Sequence, residues 1–200
     1  MLQKDFFMYR LALVFASLIT VFGSLNNKAL GQTTKKVVFI AGTKSHGPGD
    51  HEYEKGLRLL ADSLEYSKIS TRFKTEVHLY GWPANEKTLD DADTIVVYCD
   101  GSDHKETDHP LLVGDRLKTL DRQMKRGCGL VLLHYATFAG IKHGGPEYLK
   151  WVGGHYDYET GPGANHWASA IQFATAKLEL PTPSHPISNG LQSLDLKDEY

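Results

Sequence analysis

Short, almost wholly apolar runs that alternate with amphipathic segments constrain the fold of this chain more than any other feature. Such runs are typical of strands that are buried on both faces, as in a parallel sheet covered by helices. Strand–helix–strand alternation with right-handed crossovers predicts a doubly wound, flavodoxin-like α/β fold with three layers. The strands predicted in this way cover residues 35–42, 75–80, 94–99 and 129–133, with a further strand at 169–176.

The segments between the strands have the spacing of helices. In the first helix, expected over residues 52–65, apolar residues recur every three or four positions, and Asp50 is placed to cap it. A second helix is expected over residues 110–126, with Gly127 as its carboxyl-terminal cap. A short third helix is expected over residues 146–151, because proline is favoured in the first turn of a helix.

Residues 1–31 have the layout of a secretory signal. Basic residues precede the short apolar run 11–22, and the small residues Ala29 and Gly31 occupy the two positions that a signal peptidase reads. The run is short for a membrane span, although an uncleaved amino-terminal anchor is the alternative. We therefore expect a secreted or periplasmic protein whose mature part, residues 32–200, is one domain without a membrane span.

Charge and cysteine content exclude two further features. A net charge of −2 without an extended lysine or arginine run is a poor match to nucleic-acid binding, so no nucleic-acid partner is expected. Cys99 and Cys128 lie at opposite ends of neighbouring predicted strands, roughly 15 Å apart at about 3.3 Å per residue. A disulfide needs Cα atoms within about 7 Å, so two free, buried cysteines are expected.

Histidines gather at the predicted strand ends and in the loops that follow them. In an open parallel sheet the carboxyl ends of the strands form one edge, and ligands bind in the crevice outside it. Imidazole is well suited to proton transfer near neutral pH and is the commonest metal ligand, so a chemically competent site is expected at this edge. Eight of the 10 histidines lie in such positions: His46, His51, His104, His109, His134, His143, His155 and His166.

The loop after the first strand, residues 45–52, holds two imidazoles and two carboxylates near the sheet edge. Gly47 and Gly49 allow a tight bend, but the loop lacks the glycine–lysine pattern of a phosphate-binding loop. Its polar side chains are able to bind a metal ion, although their spacing fits no closed zinc motif. A structural role, with Asp50 capping the helix and the imidazoles on the surface, is an equal alternative.

Two further strand ends carry polar residues in fixed positions. Asp100 directly follows the third strand, and His109 precedes the second helix, where it either points at a ligand or lies on the surface. His134 ends the fourth strand, at the turn where many α/β enzymes place a nucleophile. Because an imidazole replaces the hydroxyl or thiol there, we expect an acid, a base or a ligand, with a hydrogen-bonded core histidine as the alternative.

Aromatic residues beside glycine and polar groups follow in residues 151–158 and 165–167. This mixture suits a sugar ring, which needs a flat apolar face for stacking and hydrogen bonds at its edge. The aromatic residues of these two stretches are the candidates for such stacking, and Trp82 after the second strand is a further one. An aromatic residue in a loop more commonly packs beneath that loop, which is the alternative.

Taken in order, these motifs resemble those of the ThuA-like (trehalose-utilisation) domain, a member of the class I glutamine amidotransferase-like superfamily. The motifs are AGTKSHGPGDHEY, GWP, VVYCDG, RGCGLVLLHYAT, WVGGHY, NHW, SHPI and DEY. The resemblance covers about residues 35–200 and is closest to exported forms. It implies a flavodoxin-like fold and a link to disaccharide or oxidised-sugar metabolism.

The resemblance also implies roles for individual residues. The histidine-rich first loop of the family matches His46, His51 and Glu52, its aspartate-glycine pair matches Asp100 and Gly101, and the histidine of its fourth strand matches His134; its tryptophan–glycine–histidine stretch matches residues 151–155. In the superfamily a cysteine occupies the position of His134, so glutamine hydrolysis is not expected. Similar domains continue into another strand, so a shortened or truncated form is expected.

These observations lead to an enzyme that acts on a sugar or keto-sugar outside the cytoplasm. The alternatives are a non-catalytic carbohydrate- or partner-binding module and a scaffold domain without a pocket. A divalent metal ion is left open as a cofactor, with His46, His51, His134 and His155 as candidate ligands. The predicted catalytic residues are His134, His46 and Asp100, and the predicted substrate-binding residues are His51, Glu52, Gly101, His109, Tyr135, Trp151, His155 and His166.

Overall fold

A four-stranded parallel sheet forms the centre of the protein, as predicted. The computed structural model describes residues 33–102, 105–157, 169–180 and 185–199. The strands pair in the order β2-β1-β3-β4 with helices on both faces, so the fold is the flavodoxin-like, three-layer α/β arrangement. The strands are β1 (Lys35–Ala41), β2 (Phe73–His78), β3 (Thr94–Tyr98) and β4 (Gly129–Leu133).

Three helices cover the sheet. They are α1 (Tyr53–Glu65), α2 (Arg116–Lys125) and α3 (Gly145–Val152). Short 3-10 turns connect the elements, at Ser70–Arg72, Glu86–Leu89, Glu106–Asp108, His134–Thr137 and Pro186–Ser188. None of the helices in the described ranges has both the length and the apolar character needed to cross a bilayer.

Strand β1 shows why the apolar runs become the central layer. Val37 and Phe39 face α1, whereas Val38 and Ile40 face the layer that contains α2 and α3. Successive side chains of a strand point to opposite faces, so a strand covered on both sides must be apolar at every position. Each fully buried aliphatic side chain of this kind stabilises the fold by roughly 1.5–3 kcal/mol.

Some predicted boundaries differ from the observed ones. Helix α2 begins at Arg116 rather than at residue 110, and Gly114 adopts a φ of 59° just before it, which interrupts a continuous helix. The N-cap residue of α1 is Glu52, and Asp50 does not cap the helix. The reason is His51, whose φ of 47° turns the chain between Asp50 and the helix.

The region after α3 forms a separate hairpin. Strands β5 (Phe173–Leu178) and β6 (Leu194–Glu199) pair with each other in antiparallel fashion and do not join the main sheet. The sequence predicted one strand here, over residues 169–176. Cys99 and Cys128 are both buried and free, which confirms the prediction of no disulfide between them. The predicted signal, residues 1–31, lies outside the described residues.

Candidate functional site

A cavity opens at the carboxyl-terminal edge of the main sheet, where the sequence predicted a site. Its volume is about 880 Å³, which is within the size range of small-molecule sites. Three segments that are distant in sequence meet there: the β1–α1 loop, the end of β3 and the turn after β4. Their contributions to the wall are His46, Asp50, His51, Tyr98, His134 and Tyr135.

The β1–α1 loop is closed by its own backbone. Gly49 has a φ of 92°, a left-handed conformation that favours glycine, and its N–H donates to Glu52 Oε1 at 3.0 Å. This backbone hydrogen bond, with the nearby Lys55, holds the pKa of Glu52 below its usual range. Glu52, predicted to bind substrate, therefore stabilises the loop and lies in a smaller neighbouring cleft.

His46, His51 and Asp100 come together beside the cavity. His46 Nδ1 lies 3.1 Å from His51 Nδ1 and 3.7 Å from Asp100 Oδ2. One potential ligand atom from each residue lies within 4.8 Å of those of the other two. Asp100 is 3% exposed, whereas the His46 side chain is 37% exposed. The group thus extends from a buried carboxylate to imidazoles that reach solvent.

His134 joins this group from the end of β4. Its ring centroid lies 4.7 Å from that of His51 and 5.5 Å from that of Tyr135. His134 has a φ of 55°, so it shares the left-handed conformation of His51. Each such residue costs about 1–3 kcal/mol, and strain of this kind concentrates at functional sites. We call His46, His51 and His134 the rim histidines.

Two tyrosines, the buried Tyr53 and the partly buried Tyr98, pack beneath the rim histidines. The Tyr53 hydroxyl lies 3.2 Å from both Ser45 Oγ and His51 Nδ1. Its ring packs edge-on against Tyr98, with 4.9 Å between the centroids. Burial raises the pKa of both phenols, so each remains a neutral hydrogen-bonding group near pH 7. The tyrosines therefore hold the imidazoles in place without adding charge to the site.

Gly101 has a packing role at this edge. A Cβ at this position would lie 2.8 Å from Phe138 Cβ and 2.9 Å from Tyr135 Cδ1. The absent side chain therefore lets the turn after β4 approach the end of β3. The Gly101 N–H also donates to Asp100 Oδ1 at 2.9 Å, which fixes the carboxylate. Gly101, predicted to bind substrate, does not line the cavity; it brings Tyr135 and Asp100 into position.

His109 lies in the protein core and not at the cavity. It is fully buried, and its Nδ1 accepts a hydrogen bond from the Leu111 N–H at 3.3 Å. The proton is therefore on Nε2, which donates to the Ala136 carbonyl oxygen at 3.0 Å and lies 3.1 Å from the Tyr148 hydroxyl. Burial lowers the pKa of His109 to about 4. The sequence left open whether His109 contacts a ligand or lies on the surface. In the structure it does neither and lies in the core.

The remaining predicted site residues lie elsewhere. His155 faces Gly145, its Nδ1 lies 2.8 Å from the Ala139 carbonyl oxygen, and it lines a separate shallow depression. Trp151 packs against the core near α2, and Trp82 lies under the Arg116 guanidinium at 5.4 Å. His166 and His104 lie outside the described residues. The predicted stacking role of Trp151 and Trp82 therefore has no support from their positions.

The hairpin contributes a part of the cavity wall that the sequence did not predict. Phe173, Thr175, Lys197 and Asp198 line the cavity, and Phe173 is 84% exposed. Asp198 lies close enough to Tyr98 to contribute to the raised pKa of that phenol, after burial. The acidic pair Asp198 and Glu199 is the sequence feature that points to this wall, but nothing in the local sequence links the pair to the sheet edge. Among the described residues, Tyr98, Tyr135 and Phe173 line the cavity, whereas Trp82 and Trp151 do not.

Comparison of the chain with family models, with curated proteins and with solved structures gives no match. The class of the protein therefore follows from its fold and site alone. It is a flavodoxin-like α/β protein with imidazole, carboxylate and phenol groups converging at the carboxyl-terminal edge of a parallel sheet.

Proposed function

We propose that this chain is an exported ThuA-like enzyme that acts on a sugar or keto-sugar, with His134 as the central acid or base. The observation that carries the proposal is the convergence of three rim histidines from two separate loops at one cavity. Surface histidines without a function are not expected to converge at one cavity. The sequence resemblance to ThuA-like domains supplies the substrate class, and residues 1–31 supply the argument for export.

The proposed chemistry is proton abstraction next to a carbonyl group. Oxidation of a sugar hydroxyl to a ketone acidifies the neighbouring C–H, and a positioned imidazole can remove that proton. His134 lies on the cavity wall in contact with His51 and Tyr135, so a substrate in the cavity can reach its ring. Lys197 and Asp198 face the same cavity and suit a polar substrate. Because position 134 is not cysteine, glutamine hydrolysis is not part of the proposal.

A non-catalytic carbohydrate-binding module is the second candidate. The observation that favours it is the cavity rim, where Phe173 is 84% exposed beside Tyr98 and Tyr135. An exposed aromatic face next to polar groups suits sugar binding with or without chemistry. The two candidates differ in turnover, since a binding module leaves a bound keto-sugar unchanged.

The test is turnover of keto-disaccharides, followed by NMR in heavy water. An enzyme of the proposed type exchanges the proton next to the carbonyl and consumes the sugar. His134→Ala is expected to lose roughly 10²–10⁴-fold in rate, the usual contribution of a general acid or base. His185→Ala, at an exposed histidine that does not line the cavity, is the matched control and is expected to retain full activity.

Circular dichroism shows whether each variant is folded. Equal turnover by the folded parent and the folded His134→Ala protein contradicts the role of His134. Binding of the keto-disaccharide without exchange or consumption favours the binding module instead.

A further inference from the structure

We propose that His46, His51 and Asp100 bind one divalent transition-metal ion of the zinc type beside the cavity. The site deepens the proposed function, on which its role in turnover rests, but ion binding itself is independent of any sugar. The donors are two imidazole nitrogens and one carboxylate oxygen. This donor set is typical of catalytic zinc sites and of other open first-row metal sites, whereas magnesium and calcium prefer oxygen ligands throughout.

The distances between the donor atoms fit such an ion. Two ligands that lie about 2.0–2.1 Å from a tetrahedral ion are separated by roughly 3.3 Å. The His46 Nδ1–His51 Nδ1 distance is 3.1 Å and the His46 Nδ1–Asp100 Oδ2 distance is 3.7 Å, on either side of this value. One potential ligand atom of His51 lies within 4.8 Å of one of Asp100, so this third side of the triangle would shorten when an ion binds.

The burial of Asp100 is an independent argument for a cation. A carboxylate that leaves water is normally paired with a positive charge or bound to a metal ion. Asp100 is 3% exposed, and in the described part of the chain no lysine or arginine forms an ion pair with it. Its oxygens have the Gly101 N–H on one side and His46 on the other. A divalent ion between Asp100 and the imidazoles would place a positive charge beside this buried carboxylate.

The protein also holds the two imidazoles close together without an ion. The left-handed φ of His51 and the hydrogen bond from Gly49 to Glu52 shape the loop that carries both rings. Ser45 Oγ lies 2.8 Å from His46 Nδ1, and the Tyr53 hydroxyl lies 3.2 Å from His51 Nδ1. Both hydroxyls contact the same Nδ1 atoms that would bind the ion, so they position the rings in the ion-free protein and would be displaced from those nitrogens when an ion binds.

The position of the site beside the cavity also indicates what the ion would do in a reaction. Three protein ligands leave at least one coordination position open, as in catalytic zinc sites. His46 and His51 line the cavity, so that open position is accessible from it. A sugar carbonyl there would be polarised by the ion, while the His134 ring, 4.7 Å from the His51 ring, lies near enough to take the adjacent proton.

The test is a Zn²⁺ titration of chelator-treated protein, with no sugar present. We expect one Zn²⁺ per chain, and we expect His51→Ala and Asp100→Asn each to weaken Zn²⁺ binding by at least about tenfold. X-ray absorption at the zinc edge is expected to show imidazole scattering. His155→Ala is the matched control, because this histidine faces Gly145 and not the cavity; its Zn²⁺ affinity is expected to equal that of the parent.

Two results would overturn the site: absence of stoichiometric Zn²⁺ binding by the folded parent, or unchanged affinity in a folded protein that carries both His46→Ala and His51→Ala. The nearly isosteric Asp100→Asn variant and the spectroscopy of the parent keep the test valid if an alanine variant does not fold. Zn²⁺ binding without keto-sugar turnover contradicts the proposed function alone. Turnover by a protein that binds no Zn²⁺ contradicts the metal site alone.

Discussion

The rim histidines and His109 occupy similar places in the chain but different environments in the fold. His51 and His109 both lie in loops that leave the carboxyl-terminal edge of the sheet. His51 has a φ of 47° and contacts other imidazoles at a cavity, whereas His109 has both ring nitrogens engaged inside the core. A strand end therefore predicts which edge a histidine approaches, while the local backbone and the packing around it decide whether it reaches the cavity.

The two environments also differ in their exposure to solvent. The His46 side chain is 37% exposed, so its ring is accessible to solvent and to a ligand. His109 is fully buried, and burial lowers its pKa to about 4. Its Nε2 donates to the Ala136 carbonyl oxygen inside the turn that begins at His134. The core histidine thus supports the turn that carries one of the rim histidines.

The largest expected effect in this comparison is the loss of stability in His109→Ala. The substitution leaves a void and removes hydrogen-bond partners from Ala136, Leu111 and Tyr148. We expect the free energy of unfolding to fall by about 3–5 kcal/mol, as for other substitutions that combine a cavity with buried unpaired groups. Urea denaturation measures the change. A loss below about 1 kcal/mol, typical of a surface site, would contradict the core assignment.

The pH dependence of stability is the next effect. The unfolded chain binds a proton at His109 below about pH 6.5, whereas the folded protein does so only below about pH 4. The unfolded state therefore binds more protons in this interval, and stability falls as the pH drops from about 6.5 to 4. At about 1.4 kcal/mol per pH unit the contribution of His109 is on the order of 3 kcal/mol.

A matched pair of variants isolates this contribution from those of the carboxylates. Besides burial, Asp100 raises the pKa of His109 and His143 lowers it, and both remain in place in His109→Gln. We expect His109→Gln to show a shallower loss of stability between pH 6.5 and 4, while His185→Gln, at an exposed position, follows the parent. Parallel curves for all three proteins would show that His109 titrates like an ordinary surface histidine.

The sequence correctly predicted those parts of the structure that depend on a local pattern of apolar residues. The apolar runs predicted β1, β3 and β4 to within one residue, because a strand buried on both faces must be apolar throughout. The arrangement of strand ends also predicted that eight histidines would lie along one edge. His46, His51 and His134 do line the cavity there, whereas His109 lies in the core and His155 lines a separate depression. The positive φ of His51 and His134 has no such local signal, since neither is a glycine, the residue that usually adopts this conformation.

Long-range contacts account for what the sequence did not predict. Phe173 and Lys197 line the cavity only because β5 and β6 pair with each other and pack beside it. His109 is held in the core by the Ala136 carbonyl oxygen and the Tyr148 hydroxyl, which lie 27 and 39 residues away in the chain, in addition to the neighbouring Leu111 N–H. No periodicity or spacing in the sequence reports either contact.

A smaller loss of stability is expected when a substitution displaces the turn after β4, which lies between the rim histidines and the core. Gly101→Ala places a methyl group within 3 Å of Phe138 and Tyr135, and we expect a loss of about 1–3 kcal/mol, as for other overpacked sites. Gly140→Ala is the matched control, because a Cβ there meets nothing within 4 Å. Thermal unfolding measures both variants. Equal melting temperatures would show that the turn after β4 is free to move away from β3.

The smallest expected effect on stability is that of His46→Ala. The ring is partly exposed and fills no cavity in the core, and its nearest contacts are Ser45, His51 and the Asp100 carboxylate. Surface substitutions of this kind usually change stability by no more than about 0.5 kcal/mol. Removing the His46 ring takes a neighbouring polar group away from the buried Asp100 carboxylate. It also frees space for water to reach that carboxylate. In the metal-free protein, urea denaturation of His46→Ala and His109→Ala side by side therefore measures the contrast directly. A loss for His46→Ala that approaches that of His109→Ala would mean that the rim histidines belong to the folding core and that their convergence reflects packing rather than chemistry.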